Sequence, residues 1–282
     1  MYCYDEAISR NIGWVTEKEQ KVLRGKKVAI AGLGGVGGAH LITLSRLGVS
    51  NFMISDFDDF EVHNFNRQEG ANVSTIHRPK IDVMRERALD VNPESNIEGF
   101  PDGISEANID AFFSGVDLYV DSLDFFALSA RKLAFKKCEE KGIPAITAAP
   151  LGMGCAFLAF LPGEMTFEDY FKLDGCTEEE QLIRFLIGLS PSMLQRNYLV
   201  DMTRADFKAK KGPSTPMAVD LCAGIAGTNA LKILLGRGDV VKAPRGLHFD
   251  AYKNKLVTTW RPGGNSHPLQ KVAFLIAKKM LL

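Results

Sequence analysis

The chain has 282 residues, of which 46% are hydrophobic and 24% charged, so its composition excludes a disordered chain and suits one large folded domain. Basic and acidic residues number 34 each, and the zero net charge gives no support for a nucleic-acid partner or an anionic membrane surface. The five cysteines are widely spaced, which argues against a disulfide framework and predicts no structural zinc. We therefore expect a single cytoplasmic domain over residues 1–282, with neither nucleic acid nor membrane as a partner.

The first strong pattern along the chain is a strand, a glycine-rich turn and a helix within residues 28–48. An apolar run at 28–31 is typical of a buried parallel strand, and leucines at helical spacing follow the turn until Gly48. Glycines at such a turn let the backbone approach a phosphate, while the helix N-terminus offers N–H groups. Alone, the pattern predicts a nucleotide site without saying which nucleotide, and a turn that binds nothing stays open. The glycines in G-x-G-x-x-G spacing are Gly32, Gly34 and Gly37.

Charged and amide side chains follow the second predicted strand, at 51–56. The acid that ends this strand, Asp56, suits the ribose hydroxyls of a bound nucleotide. The next residues, up to Gln68, are polar, charged and aromatic at once, which suits neither a core nor a linker. Lys80 then opens a predicted helix. Amide, guanidinium and ammonium donors beside a nucleotide turn favour phosphate binding.

A strand predicted at 116–121 ends in acids, at the edge where an open parallel sheet binds its ligands. From the residues alone, Asp121 could be a turn acid and Asp124 the N-cap of the helix predicted at 125–141. A strand at 143–149 continues the alternation of strands and helices. This alternation predicts a doubly wound, Rossmann-like α/β fold with a mostly parallel sheet.

Residues 163–212 differ from the preceding chain, because they are charged and form helical pieces. We interpret them as a helical insertion, which either packs against the sheet domain or covers a groove for the acceptor substrate. Its end, with Lys208, Lys210 and Lys211, is interpreted as a solvated helix end. The helical pieces are predicted at 167–173, 178–189 and 194–210. The elements predicted after them are a long helix at 215–235 with Gly224 and Gly227, a hairpin of strands 247–251 and 256–260, and a helix at 268–282.

The glycine turn, the D-x-D pair, the N-x-N-R-Q run and the lysine together resemble the signature of the ubiquitin-activating enzyme superfamily, of the ThiF and MoeB adenylyltransferase type. The resemblance implies an enzyme that binds ATP at the glycine turn, together with Mg²⁺. It also implies that the strand predicted at 155–161 extends the sheet in the antiparallel direction. The residues that it assigns to ATP binding are Gly32, Gly34, Gly35, Gly37, Asp56, Asp58, Asn64 and Gln68.

The same resemblance implies four catalytic residues. Arg67 and Lys80 match the cations beside the triphosphate, and Asp124 matches the aspartate that holds Mg²⁺ through ATP. Arg10 matches an arginine that several members contribute to the ATP site of the partner subunit. Together with the small residues of the helix at 215–235, this arginine predicts a homodimer.

The reaction implied by the resemblance is adenylation, in which a carboxylate joins the α-phosphate of ATP as an acyl-adenylate and pyrophosphate leaves. The implied acceptor is the C-terminus of a ubiquitin-like or sulfur-carrier protein, a peptide or a small molecule. A carboxylate is already ionised at neutral pH and needs no general base, which agrees with histidines that show no catalytic or metal-ligand spacing. The sequence departs from the family at Phe125, where asparagine is usual, and it lacks the paired C-x-x-C zinc ligands of many relatives.

Two other functions stay open from the sequence. A glycine turn followed by Asp56 also suits an NAD-dependent oxidoreductase, although Asn64, Arg67 and Lys80 would then have no role. A non-catalytic nucleotide-binding subunit of an activating complex is the third hypothesis. Cys176, the cysteine of the insertion, is predicted not to be an essential nucleophile, because the acids around it disfavour the thiolate.

Overall fold

A mixed sheet of eight strands forms the centre of the computed structural model, which describes residues 2–205 and 209–281. The strands are β1 (Lys27–Ala31), β2 (Asn51–Ser55), β3 (Asn96–Phe100), β4 (Leu118–Asp121), β5 (Ala145–Leu151), β6 (Gly154–Phe160), β7 (Arg245–Asp250) and β8 (Lys255–Trp260). Their order in the sheet is β3-β2-β1-β4-β5-β6-β7-β8. The pairs from β3 to β5 are parallel and those from β5 to β8 antiparallel, so the predicted doubly wound fold with an antiparallel extension is confirmed.

Helices cover both faces of this sheet, because alternate residues of each strand point to opposite sides. In β1, Val28 and Ile30 face one hydrophobic core, while Ala29 and Ala31 face the other. The helices are α1 (Tyr4–Ala7), α2 (Glu17–Gly25), α3 (Gly35–Leu47), α4 (Lys80–Val91), α5 (Ile109–Phe112), α6 (Leu128–Lys141), α7 (Phe167–Phe171), α8 (Glu178–Leu189), α9 (Pro216–Leu235) and α10 (Pro268–Leu281). Helices α3, α4 and α9 contribute to the first core, and α5 to α8 to the second.

Helix α9 lies against α3 and the sheet, and its small residues allow a close approach. A Cβ atom on Gly227 would lie 3.0 Å from Cγ2 of Thr43 in α3, so this glycine serves packing inside the chain. Gly224 faces open space on the same helix. By length and composition alone α9 could also cross a membrane, but this is weak evidence, since a core helix of a folded domain passes the same test.

The insertion shares the second core through aromatic rings. The ring of Phe167 in α7 stacks on that of Phe135 in α6, with centroids 4.3 Å apart, and Phe171 and Phe185 continue the cluster. Helix α8 begins at a capping box, in which Thr177 and Glu180 satisfy each other's main-chain N–H groups. Helices α7 and α8 therefore pack on the same face of the sheet as α6.

The prediction of a helix at 194–210 is wrong for residues 194–205 and 209–210, and residues 206–208 lie outside the described part of the chain. Two 3₁₀ turns, Leu194–Tyr198 and Met202–Arg204, lie in this part of the chain. The carboxylate of Asp201 accepts hydrogen bonds from the main-chain N–H and the hydroxyl of Thr203, at 3.0 and 2.6 Å. Such local side-chain bonds offer the backbone an alternative to helical hydrogen bonds, which periodicity alone does not reveal.

Helix α6 begins at Leu128, later than the predicted residue 125. The carboxylate of Asp124 accepts the main-chain N–H of Phe126 at 2.9 Å and thereby closes a turn before the helix. Ala127, not Asp124, occupies the N-cap position. The interpretation of Asp124 as the cap of this helix is therefore wrong, and its carboxylate stands on an exposed loop at the carboxyl end of β4.

Candidate active site

The glycine turn joins β1 to α3 at the carboxyl edge of the sheet. Gly32 has a φ of +86°, and a Cβ atom there would collide with the main-chain oxygen of Ser122, so the fold itself requires this glycine. A Cβ atom on Gly37 would collide with the main-chain oxygen of Gly32. By contrast, Cβ atoms on Gly34 and Gly35 would make only ordinary contacts. No side chain caps α3 at Gly34, so these two glycines leave its first N–H groups open to an anion.

Asp56 directly follows β2 and holds the backbone of the turn. Its carboxylate accepts the N–H of Leu33 at 2.6 Å and the N–H of Asp58 at 2.8 Å. Burial raises the pKa of Asp56, while the Leu33 hydrogen bond and the charge of Lys80 act in the opposite direction. The acid expected to bind the ribose therefore also fixes the shape of the turn.

Lys80 lies at the start of α4, next to the two acids of the D-x-D pair. Its ammonium is 2.9 Å from a carboxylate oxygen of Asp58, and its side chain is only 7% exposed, against 55% for Asp58. The main-chain N–H of Lys80 also donates to the main-chain oxygen of Asp58 at 2.9 Å. An ammonium has three donors, so Asp58 orients Lys80 and leaves donors for a phosphate.

Asn64 holds the backbone of the run that contains Arg67 through hydrogen bonds. The buried side chain of Asn64 accepts the N–H of Glu61 at 2.9 Å, and its main-chain oxygen accepts the N–H groups of Arg67 and Gln68. Burial lowers the pKa of the Arg67 guanidinium, and the charge of Asp124 acts in the opposite direction. The Asp124 carboxylate therefore lies within electrostatic reach of Arg67, although the two residues come from different parts of the chain.

Two buried polar atoms beside the glycine turn have no hydrogen-bond partner among the described residues. They are Oε1 of Gln68, whose amide lies against Gly34, and Oγ of Ser122, which lies next to Gly37. Buried polar atoms in folded proteins are nearly always paired. Their position therefore fits a polar ligand at this turn, such as a nucleotide.

Arg10 is not brought to this site within one chain. The neighbouring side chain of Asn11 donates to the main-chain oxygens of Arg46 and Leu47, at 3.2 and 3.4 Å. These oxygens are at the C-terminal end of α3, about 20 Å from the glycine turn at its other end. Arg10 is exposed there, at the end of α3 that is remote from the glycine turn.

Metal ligands are sparse in the part of the chain that the structure describes. Residues 2–205 and 209–281 contain no group of three or more His, Cys, Asp or Glu side chains that could hold a metal ion. Asp124 is an exposed carboxylate of the kind that Mg²⁺ accepts as one ligand, the phosphates of a nucleotide supplying others. The site thus fits a magnesium ion that arrives with its nucleotide.

Two charged residues near Asp124 were not assigned to this site from the sequence, Arg131 being unnamed and Lys210 interpreted as part of a solvated helix end. Arg131 in α6 is 3% exposed and its Nε donates to the buried carboxylate of Asp121 at 2.8 Å. Lys210, at the end of the insertion, pairs with Glu178 at 2.8 Å, and this bond together with the charge of Asp124 raises the pKa of Lys210. The sequence pattern that could have identified Arg131 is a cation in the middle of the apolar face of the helix predicted at 125–141. Lys208 lies outside the described residues.

Comparisons with known proteins place this geometry in a context. The model of the ThiF family matches residues 8–272. The tRNA threonylcarbamoyladenosine dehydratase of Bacillus subtilis is 33% identical over 141 residues, which are 50% of this chain and 55% of that protein. The molybdopterin-synthase adenylyltransferase of Haemophilus influenzae is 27% identical over 156 residues, which are 55% of this chain and 63% of that protein. The chain thus spans little more than half the length of these curated relatives.

Solved structures share the fold at low sequence identity. The crystal structure of E. coli MccB with ATP superposes with a TM-score of 0.62 at 18% identity and covers 86% of this chain and 65% of that one. The crystal structure of PaaA gives a TM-score of 0.64 at 16% identity and covers 86% and 66%. At such identities the likeness concerns the fold alone.

Proposed function

The chain belongs to the ThiF family, and on that premise we propose that it is an ATP-dependent adenylyltransferase that activates a carboxylate and releases pyrophosphate. The observation that carries the proposal is the pair of buried polar atoms at the glycine turn, Oε1 of Gln68 and Oγ of Ser122, which have no hydrogen-bond partner among the described residues. Lys80 pairs with Asp58 next to Asp56, the acid that holds the same turn. Arg67 adjoins Gln68 in the chain, and the charge of Asp124 acts on its guanidinium. Such a set of N–H groups, cations and one exposed acid suits a magnesium nucleotide and not a hydride donor.

The chemistry needs charge stabilisation more than proton transfer. The acceptor carboxylate is ionised at neutral pH, so the site must bring two anions together and stabilise charge on the phosphoryl oxygens and the leaving pyrophosphate. In this proposal Arg67 and Lys80 bind phosphate oxygens, and the first main-chain N–H groups of α3, at Gly34 and Gly35, bind the same anion. Mg²⁺, held through ATP by Asp124, would neutralise further phosphate charge.

The remaining predicted residues support the nucleotide less directly. Asp56 binds the ribose and Gln68 adds an amide at Gly34, where its side chain lies. Asp58 acts through Lys80, with which it is paired, and Asn64 acts through the turn that it closes from inside.

A homodimer completes the proposed site. Arg10 lies at the far end of α3 from its own glycine turn, so a role at the nucleotide needs a second copy. Ile12 and Trp14 on the same segment are 39% and 86% exposed, which an interface would cover. The five cysteines are all free, which suits the cytoplasm, where ATP is also available.

The acceptor is proposed to be the C-terminal carboxylate of a peptide or of a small sulfur-carrier protein. Support comes from the relative named molybdopterin-synthase adenylyltransferase and from MccB structures that contain MccA. The relatives named tRNA threonylcarbamoyladenosine dehydratase add a carboxylate carried on tRNA as the competing acceptor. The zero net charge of the chain favours the peptide class over the RNA class.

The test is a nucleotide panel followed by ATP–pyrophosphate exchange. Stabilisation against heat by Mg-ATP supports the nucleotide part of the proposal, stabilisation by NAD supports an oxidoreductase, and stabilisation by neither contradicts nucleotide binding. Exchange is then measured with a peptide ending in Gly-Gly, a small carboxylic acid and tRNA that carries threonylcarbamoyladenosine. Binding of Mg-ATP with no exchange for any acceptor would contradict the enzymatic part of the proposal.

A further inference from the structure

All three nitrogens of the Arg131 guanidinium donate hydrogen bonds to the end of β4 and the loop that follows it. Its Nε donates to the carboxylate of Asp121 at 2.8 Å, and its Nη2 donates to the main-chain oxygen of Leu123 at 2.6 Å. Its Nη1 donates to the main-chain oxygen of Asp124 at 3.1 Å, with that of Phe125 at 3.5 Å. One side chain from α6 thus fixes the main chain on both sides of the exposed carboxylate of Asp124.

The insertion closes the remaining face of this guanidinium. The ring of Phe185 in α8 lies 4.5 Å from the guanidinium carbon of Arg131, in a cation–π contact, and 5.4 Å from the ring of Phe125 in the loop. The side chains of Arg131 and Asp121 are 3% and 1% exposed, so the pair is shielded from solvent. A shielded charged pair is retained only if its geometry is well satisfied, as it is here.

From these contacts we infer that Arg131 is a positioning residue of the nucleotide site, which fixes the loop so that Asp124 faces Arg67 and the magnesium of the bound nucleotide. Phe185 keeps the guanidinium in place, so the insertion contributes to this site without touching the nucleotide. The inference rests on the proposed function, because Asp124 needs a magnesium nucleotide to act on. It concerns the orientation of a ligand by its neighbours, which commonly decides the affinity of a metal site.

Lysine cannot replace arginine in this arrangement. Its ammonium is a single point charge that can pair with Asp121, whereas the planar fork of arginine reaches the carboxylate and the loop oxygens together. Arg131→Lys therefore keeps the buried charge paired and releases the loop. This separates the positioning role from the stability of the folded chain.

The test measures ATP affinity by calorimetry with Mg²⁺ and with EDTA, beside thermal melting, on the full chain. Arg131→Lys is expected to lose about 10–100-fold in the affinity gained from Mg²⁺ while its affinity in EDTA stays at the parent value. Phe185→Leu should lose about two- to fivefold in the same gain, because it removes the cation–π contact but leaves the hydrogen bonds of Arg131 in place. Two variants serve as controls. Lys132→Gln lies on α6 like Arg131 and removes a surface ion pair with Asp174. Phe171→Leu changes another ring of the aromatic cluster that contains Phe185.

Each outcome decides the matter. A selective loss of the magnesium-dependent gain in Arg131→Lys, with both controls at the parent value, supports the inference. An unchanged gain, or equal losses with Mg²⁺ and with EDTA alongside a lower melting temperature, overturns it, since Arg131 would then serve stability alone. A parent chain that binds no ATP in either buffer would overturn the proposed function, and this result is read from the parent without any variant.

Discussion

The ammonium of Lys80 lies 2.9 Å from the carboxylate of Asp58, and the two residues are also joined by a main-chain hydrogen bond of 2.9 Å. The lysine is buried and the aspartate half exposed, so the acid is the counter-ion that holds a buried cation in place. Removing the charge of Asp58 should therefore loosen Lys80, while the amide oxygen of asparagine can still accept from its ammonium. Asp58→Asn is expected to lower the free energy of unfolding by about 1–3 kcal/mol and to raise the KM for ATP, as measured by urea unfolding and exchange kinetics.

Arg67→Ala should nearly abolish adenylation. Removing one electrostatic contact to a developing charge typically costs about 10²–10³ in rate. Among the described residues this guanidinium donates hydrogen bonds to the main-chain oxygen of His63 and the side chain of Asn66. The melting temperature should stay near that of the parent. The matched control is Arg78→Ala, which removes a surface pair with Glu86 close to Lys80. An exchange rate of Arg67→Ala within a few-fold of this control would refute the proposed role.

Asp124→Asn should uncouple magnesium from the site while the loop keeps its shape. The asparagine oxygen can still accept the N–H of Phe126, so the turn before α6 is retained. The rate is expected to fall by about 10²–10³ at fixed Mg²⁺, with unchanged ATP affinity in EDTA. Titration of the exchange rate with Mg²⁺ checks this, and a curve that coincides with that of the parent would rule out Asp124 as the ligand.

The position of Arg10 predicts complementation between two inactive variants. In a mixed dimer of Arg10→Ala and Arg67→Ala chains, one of the two sites combines an intact Arg67 with an intact Arg10 from the partner. Each variant alone should be inactive, and an equal mixture should recover about a quarter of the parental sites when chains assort at random. The measurement is exchange activity after unfolding and refolding the mixture. Recovery of no activity, from chains that do form dimers, would contradict donation across the interface.

His40 predicts a pH dependence of stability that has nothing to do with the site. Its ring in α3 is 1% exposed, neither nitrogen has a hydrogen-bond partner within the described residues, and burial lowers its pKa to about 3. Between pH 6.5 and about 3 the unfolded chain takes up a proton that the folded chain does not, so this stability is present above pH 6.5 and is lost as the pH falls. From pH 7 to pH 5 the loss should be about 2 kcal/mol.

His40→Leu removes the group that titrates and, with it, the two ring nitrogens that have no hydrogen-bond partner among the described residues. Urea unfolding of the parent and the variant at both pH values checks the prediction, and the advantage of the variant should grow as the pH falls. A difference between the two proteins that is the same at pH 7 and pH 5 would mean that the ring titrates normally in the folded chain.

Hydrophobic periodicity and residue spacing predicted most of the fold. The alternation of strands and helices, the glycine turn and the start of α4 at Lys80 are local patterns, and the structure has them where they were predicted. The helix predicted at 194–210 failed because the side chain of Asp201 competes with helical hydrogen bonds. Local competition of this kind depends on which side chain closes a turn, which hydrophobic spacing does not encode.

The different surroundings of the two acids at the end of β4 could not be predicted from residue types alone. The carboxylate of Asp121, the last residue of β4, pairs with the buried side chain of Arg131, ten residues further along the chain, whereas Arg131 contacts Asp124 through its main-chain oxygen. That pairing depends on how α6 folds back over the loop. The resemblance assigned Asp124 to magnesium, but the structural role of Asp121 follows from the tertiary contact with Arg131.

In the proposed homodimer, the distance between Arg10 and its own glycine turn has a thermodynamic consequence. A nucleotide that contacts two chains at once binds the assembled pair more tightly than the separated chains, and by linkage it raises the association constant of the chains by the corresponding factor. The apparent Kd for ATP would then fall as the protein concentration rises. Dilution would lower the fraction of chains that bind ATP, and the concentration of the chain in the cell would determine that fraction.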